Sequence, residues 1–297
     1  NMFLLTLIIP LISVSGCILA KIQPAPHQPI NKKVFFGGLI YAAFVIIMGL
    51  SQVPYGQELV FVVSLSVVLY LLYCVAEQLE KNLIIKMACA AAVIFIYRAV
   101  PPAGPGASWF MIDILGFDKA FFGTLAQIGA GLAILGMWFF AKLITERSIR
   151  FVLGWLTVIS FFLGLPLIGM FYGLHLWTME HFGFGARTIA LVDTALASPF
   201  AQLSMIPMLA LIARNAPRGN AATWFALMAS LMNLALTAAS LFSKFINQYW
   251  EVAREVKDPV GAVLVHANYD HLGKILIFVS TIGLVVPLIA IFTLLKE

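Results

Sequence analysis

The chain has 297 residues, of which 62% are apolar and only 10% charged, with a net charge of +5. Water-soluble domains carry about 25% charged and about 45–50% apolar residues, so an ordinary soluble enzyme, a disordered chain and a disulfide-stapled secreted module are all excluded. The three cysteines, Cys17, Cys74 and Cys89, lie inside apolar runs and form no loop framework. The apolar runs are long and continuous, unlike the alternating segments of about ten residues that build a transmembrane barrel. The fold class is therefore all-α, an integral membrane protein. The basic balance is read loop by loop, as a sidedness signal and not as a nucleic-acid footprint.

A spanning helix needs about 20 mostly apolar residues. Nine segments meet this in chain order: 2–20, 34–50, 59–76, 83–100, 121–144, 151–172, 187–213, 221–246 and 274–295. The fourth carries Lys86 and Arg98 near its ends, where long side chains can reach the headgroups. Between spans, one set of loops holds Lys21, Lys32, Lys33, Lys81, Lys86, Lys142, Arg147, Arg150, Arg214, Arg218 and Lys296. The other set holds Lys119, Arg187, Arg254, Lys257 and Lys274. The richer set should be cytoplasmic, which places the C-terminus inside, in a bacterial inner membrane. Residues 2–20 lack a basic region ahead of them and do not read as a signal peptide. An odd number of spans beginning at Asn1 fits the rear part of a longer protein. The segment 21–33, with Pro24, Pro26 and Pro29, reads as a linker.

Charges inside a bilayer are costly and usually face a cavity or a partner. Asp193 lies about two turns into the seventh span, and at helical spacing it shares a stripe with Ala197 and Ser204. It reads either as a substrate or proton site, or as a structural hydrogen bond to a neighbouring helix. Gln202 lies downstream on the same segment. Arg98 precedes Pro101 and Pro102, and it either grips an anionic group bidentately, pairs with Asp193 or Asp113, or snorkels. Asn233 sits mid-span in the eighth segment, where interhelical hydrogen bonding is the plain alternative to a binding role. Lys244 and Gln248, near the end of that helix, either line a cavity mouth or snorkel. His175 and His181 flank Glu180 at a spacing unlike that of zinc motifs, so no metal site is expected. No nucleophile elbow, phosphate-binding glycine loop or HExxH appears, so neither an enzyme nor a cofactor is expected. The run Pro101-Pro102-Ala103-Gly104-Pro105-Gly106 should stop the fourth helix, and Pro199 and Pro207 should kink the seventh. Asp118 is placed to cap the fifth helix. Gly123, Gly129, Gly131 and Gly136 make that helix closely packable.

Two stretches carry a resemblance. Residues 98–125, with Pro101, Pro102, Trp109-Phe110, Leu115-Gly116-Phe117 and Phe122-Gly123, resemble the seventh-to-eighth helix region of the folate–biopterin transporter family, a branch of the major facilitator superfamily. Residues 193–233, with Asp193, Gln202, Pro207, Arg214, Pro217, Gly219, Ala222-Thr223, Ser230 and Asn233, resemble its tenth-to-eleventh helix region. The pattern departs from the family at Arg218, often Pro, and at Ala221, often Glu. Glu146, Arg147 and Arg150 look like a degenerate form of the superfamily's cytoplasmic latch loop, or ordinary positive-inside charge. Pro217, Gly219 and Thr223 mark the cytoplasmic motif.

The resemblance implies that residues 83–297 form the C-terminal six-helix bundle of a two-bundle transporter. Residues 1–20 would be the last helix of the bundle before it, 21–33 a cytoplasmic linker, and 34–82 two additional helices. The function implied is alternating-access transport of a small organic solute, a folate- or pterin-like anion, in which Asp193, Arg98, Gln202 and Asn233 are the binding candidates. The alternative is a non-transporting subunit, or an assembly or pigment-delivery factor, of a larger membrane complex. Expected partners are the lipid bilayer, the solute, and either a preceding half or that complex.

Overall fold

The computed structural model describes residues 6–20, 32–51, 53–77, 79–217, 219–258 and 260–295; the proline-containing stretch 21–31, Arg218 and Lys296 lie outside the described residues. The chain divides into two units, Asn1–Gly56 and Gln57–Glu297. The first holds α1 (Ile8–Leu19) and α2 (Lys32–Leu50). In it the Met48 side chain packs against Gly56, 3.5 Å from where a Cβ would stand.

The second unit is helical almost throughout. It comprises α3 (Gly56–Ala76), α4 (Lys81–Arg98), α5 (Pro105–Asp113), α6 (Lys119–Glu146), α7 (Ile149–Phe171), α8 (Leu174–Phe182), α9 (Ala186–Ala197), α10 (Met205–Arg214), α11 (Ala221–Tyr249) and α12 (Leu272–Leu294). A two-stranded hairpin, β1 (Val256–Lys257) with β2 (Val263–Val265), lies between α11 and α12. Six segments are long and apolar enough to cross a membrane: α3, α6, α7, α9–α10 taken together, α11 and α12. The protein is thus an all-α integral membrane protein. The other three expected spans are helical among the described residues, but α1 and α2 are short and α4 carries Lys81, Lys86 and Arg98.

Local chemistry sets the element ends. Asp118 caps α6 by accepting from the Phe121 N–H at 2.7 Å, as its position predicts, and Ser148 caps α7 by accepting from Phe151 at 3.2 Å. The Pro-Gly run ends α4 at Arg98, and the chain then restarts as α5 with Pro105 in its first turn. Helix α4 is the hub, packed by α10, α11 and α12, while α7 packs against α9, α10 and α12. One core joins Val93 and Ile94 of α4, Leu153 of α7, Met208 of α10 and Met228 of α11. Trp224 is 1% exposed beneath it, and its indole N–H donates to the Ile212 carbonyl at 2.8 Å, tying α11 to α10.

Candidate functional site at the α9–α10 break

Residues 187–213 read as one kinked helix in sequence, but the structure divides them. Helix α9 ends at Ala197, a short 3-10 turn covers Ser198–Phe200, and α10 starts only at Met205. Proline at 199 has no N–H to give and its ring opposes the preceding turn, so the break falls there. Pro207, by contrast, lies in the first turn of α10, where N–H groups have no intrahelical partner, and it is tolerated without a kink. The proposed Asp193–Ala197–Ser204 stripe is therefore interrupted, because Ser204 lies beyond the end of α9.

The break is held from one side by α6. A Cβ at Gly136 would collide with the Pro199 backbone, so glycine alone allows this approach. Gly129 likewise faces Ser198 and Thr194, whereas Gly123 and Gly131 face open space. Phe200 packs tilted against Phe140 and edge-to-face against Trp155, at centroid distances of 5.0 and 5.7 Å, and Leu203 is fully buried. The break is thus a packed feature. Non-helical backbone at membrane depth is tolerated only when buried in protein or lining a cavity.

From the other side, α4 brings Tyr97 and Arg98. The Arg98 guanidinium donates from Nη1 to the Met205 sulfur at 2.9 Å, and its Nε is buried without a partner. A thioether is a weak acceptor, so this half-buried cation has no anionic partner among the described residues. The Tyr97 hydroxyl lies within hydrogen-bonding reach of Thr157 and Ser204. It also borders a cavity of about 280 Å³ between α4, α7 and α12 that includes Thr157, Ser160 and Ser280.

No hydrogen bond or ion pair among the described residues joins the other candidates to Arg98. Asp193 is half-buried on α9, and its Oδ1 is buried without a partner. Arg98 pairs with neither Asp193 nor Asp113; Asp113 is taken by Arg254 at 2.8 Å and by the Tyr269 hydroxyl at 2.6 Å. Gln202 is exposed in the unwound segment, and Asn233 is exposed on α11. Asn233 lies in a run of exposed polar or small residues that repeats at helical spacing: Thr223, Ser230, Asn233, Thr237 and Ser240. The outward faces of α7 and α12 instead carry bulky apolar residues such as Phe162, Ile277, Ile289 and Phe292.

At the opposite turn, Glu146 pairs only with Lys142 of its own helix, at 3.8 Å with both side chains exposed. Arg147 lies over the Phe151 ring. Arg150 alone reaches another helix: it stacks on Phe292 at 4.7 Å and donates to that residue's carbonyl at 3.2 Å. Pro217 is buried, Gly219 turns the chain at φ +87°, and Thr223 is exposed in the first turn of α11. His175 and His181 each meet a backbone carbonyl, of Met170 and Trp177 respectively.

Sequence reasoning singled out Arg98 but not its neighbours Tyr97, Thr157 and Met205. The available signal was the Tyr-Arg pair just before the Pro-Gly run. Lys244 and Gln248 line a cavity, one of the two alternatives their position offers, but the partner of Lys244, Glu58 of α3 at 2.7 Å, is not among the expected residues. An acidic residue in the first turn of an apolar span was the signal there.

Comparison with known proteins adds three findings. The BT1 family model matches residues 26–297. A curated folate-biopterin transporter of a Synechocystis species is 26% identical over 179 residues, a stretch that makes up 60% of this chain and 35% of that relative. No solved structure matches the chain.

Proposed function

We propose that this chain, which belongs to the BT1 family, carries out membrane transport of a small organic anion by alternating access. The observation that carries the reading is Arg98: a half-buried guanidinium beside a broken helix, with a sulfur as its acceptor and a buried orphan Nε. Buried charges are normally paired, and a guanidinium with free N–H groups suits a carboxylate through two parallel bonds. The start of α10 lies beside it without a side-chain cap, so its N-terminal dipole favours the same charge. The relative's name, folate-biopterin transporter, points to a pterin- or folate-like anion as the solute class.

In this reading residues 83–297 are the second six-helix bundle of a major-facilitator-type carrier. Residues 1–20 end the bundle before it, and 34–82 supply two inserted helices. The polar outward face of α11 then fronts the solute path and not lipid, because Asn233 in hydrocarbon would leave its amide unpaired. Asp193 serves as a proton or cationic-group site, and Gln202 offers hydrogen bonds from the unwound segment. The cationic loops, including that with Arg147 and Arg150, face the cytoplasm.

The test is uptake by cells or vesicles containing the protein. Arg98→Gln should abolish anion flux while surface expression persists, and Arg98→Lys should restore little, because the bidentate geometry is lost. Asp193→Asn should remove the dependence of uptake on the proton gradient. Unchanged flux in Arg98→Gln would overturn the anion assignment.

A further inference from the structure

Between α3, α4 and α11 lies a cavity of about 470 Å³ with apolar walls. Leu65 and Leu72 of α3, Ala88 and Phe95 of α4, and Trp224 and Leu231 of α11 line it along its length. Among the lining side chains only Tyr73 and Trp224 carry a hydrogen-bond donor, and the Trp224 N–H is already given to the Ile212 carbonyl. A water needs about two to four polar partners and does not settle between such walls, whereas an apolar molecule does. The chemistry of the lining therefore calls for hydrocarbon.

The length of the groove says which hydrocarbon. Its lining runs along α3 from Leu65 to Ala76, the second half of that helix, and along α4 from Ile84 to Ile96. At a rise of about 1.5 Å per residue these stretches cover about 16–18 Å. That is close to half of a hydrocarbon core of about 30 Å. The groove starts where the chain turns from α3 into α4, at the membrane surface, and ends near the midplane. One acyl chain of one leaflet has this reach.

The surface end carries both charges. Lys81 lies three residues before Ile84 and seven before Ala88, on the stripe of α4 that lines the groove. It is exposed and takes part in no ion pair among the described residues. Neither α4 nor α11 has a side-chain cap, and Trp224 sits in the first turn of α11, so two helix N-termini with open N–H groups point to this end. Glu77 and Glu80 are exposed in the turn beside Lys81. A purely anionic headgroup would leave those two carboxylates unanswered. A phosphate followed by an ammonium answers both signs.

We infer that this groove is a lipid site, separate from the Arg98 region, for a phospholipid with an amino headgroup. One acyl chain lies between α3 and α4 down to the level of Leu65 and Ile96. The phosphate sits at Lys81 Nζ and the open first turns of α4 and α11, and the ammonium faces Glu77 and Glu80.

The test is native mass spectrometry of the purified full chain in detergent, titrated with three lipids that share the same oleoyl chains. These are phosphatidylethanolamine, phosphatidylglycerol, which lacks the ammonium, and dioleoylglycerol, which lacks the phosphate as well. Phosphatidylethanolamine should add one saturable copy and bind about fivefold more tightly than either of the others, the increment of one charge at a membrane surface. Lys81→Gln should weaken both phospholipids about fivefold and leave dioleoylglycerol unchanged, whereas a folding defect would weaken all three alike. Ala88→Phe, at an exposed position on the groove wall, should exclude all three. Arg98→Gln should change none of them. Retention of the copy in Ala88→Phe overturns the site, as does unsaturable binding of the three lipids, the behaviour of a bulk lipid annulus. Equal or tighter binding of phosphatidylglycerol, or parent-like binding in Lys81→Gln, overturns the headgroup assignment. Loss of the copy in Arg98→Gln overturns the separation of the two sites.

Discussion

At the residue scale, position 136 tolerates only glycine because the Pro199 backbone occupies the space of a Cβ. Gly136→Ala forces either α6 or the break to move, at a cost of about 1–3 kcal/mol in the overpacking range. The expected outcome is a lower unfolding midpoint in detergent together with reduced anion uptake, since the same contact holds the break. Gly123→Ala on the same helix, where nothing lies within 4 Å, is the matched control and should be silent. Trp224 makes a different point. Its ring is buried and its N–H satisfies the Ile212 carbonyl. Trp224→Phe leaves that carbonyl without its partner and a small void beside it, so a loss of about 1–3 kcal/mol is expected from denaturant titration.

At the element scale, the hairpin following α11 is tethered and not packed: every residue of β1 and β2 is exposed. Its hold on the bundle runs through Arg254 and Tyr269 to Asp113 of α5, at 2.8 and 2.6 Å. The Arg254 guanidinium, and secondarily Tyr269, hold the Asp113 carboxyl below the usual carboxylate range. Partial burial, and then the Asp113 carboxylate, push the Tyr269 phenol up to about 12. A lowered carboxyl stabilises the fold above its unfolded value, about 3.9, and that stability is lost as pH falls through the lowered one. A raised phenol acts in reverse: its contribution is complete below about 10 and is lost as pH rises through about 12. The melting midpoint of the parent protein should therefore exceed that of Asp113→Asn by a constant amount across neutral pH. The gap should close in acid, once Asp113 is protonated. A gap that narrowed between about pH 6 and 8, a range in which only histidine titrates at its unperturbed value, would mean another group controls the tether.

At the scale of the whole molecule, one helix adds a polar stripe to an otherwise apolar outward surface. Helices α7 and α12 present phenylalanine, isoleucine and valine, as a lipid-facing surface should. The outward face of α11 carries a stripe of Thr223, Ser230, Asn233, Thr237 and Ser240, flanked by the exposed Phe225, Leu236, Phe242 and Phe245. The serine and threonine hydroxyls of that face at 230, 237 and 240 are satisfied by carbonyls one turn earlier, but the Asn233 amide is not satisfied in this way. If the face fronts a water-filled path, a cysteine at 233 should react with a membrane-impermeant thiol reagent, and protection by solute should follow. A cysteine at Phe162 or Ile289 should stay unreactive. The background needs Cys17, Cys74 and Cys89 replaced, since the first two are exposed.

What the amino-acid order alone determined was what short-range chemistry determines. Apolar run lengths announced a helical membrane protein, the Pro-Gly run ended α4, and Asp118 capped α6 three residues before the N–H it binds. The resemblance at 98–125 and 193–233 named the family that the match over residues 26–297 supports. The α9–α10 break was only half legible. Pro199 and Pro207 look alike in sequence, yet one ends a helix and the other sits in a first turn that has no use for its missing N–H. Other features rested on contacts between residues far apart in the chain. The partner of Lys244 is 186 positions away, the hold of Arg254 on Asp113 spans 141, and the sulfur under Arg98 lies 107 residues on. Pairings of that kind depend on which helix faces which, and hydrophobic pattern says little about this when most helices carry apolar residues on every side. Only the packed bundle decided which charges are answered and which, like Arg98, have no anionic partner among the described residues.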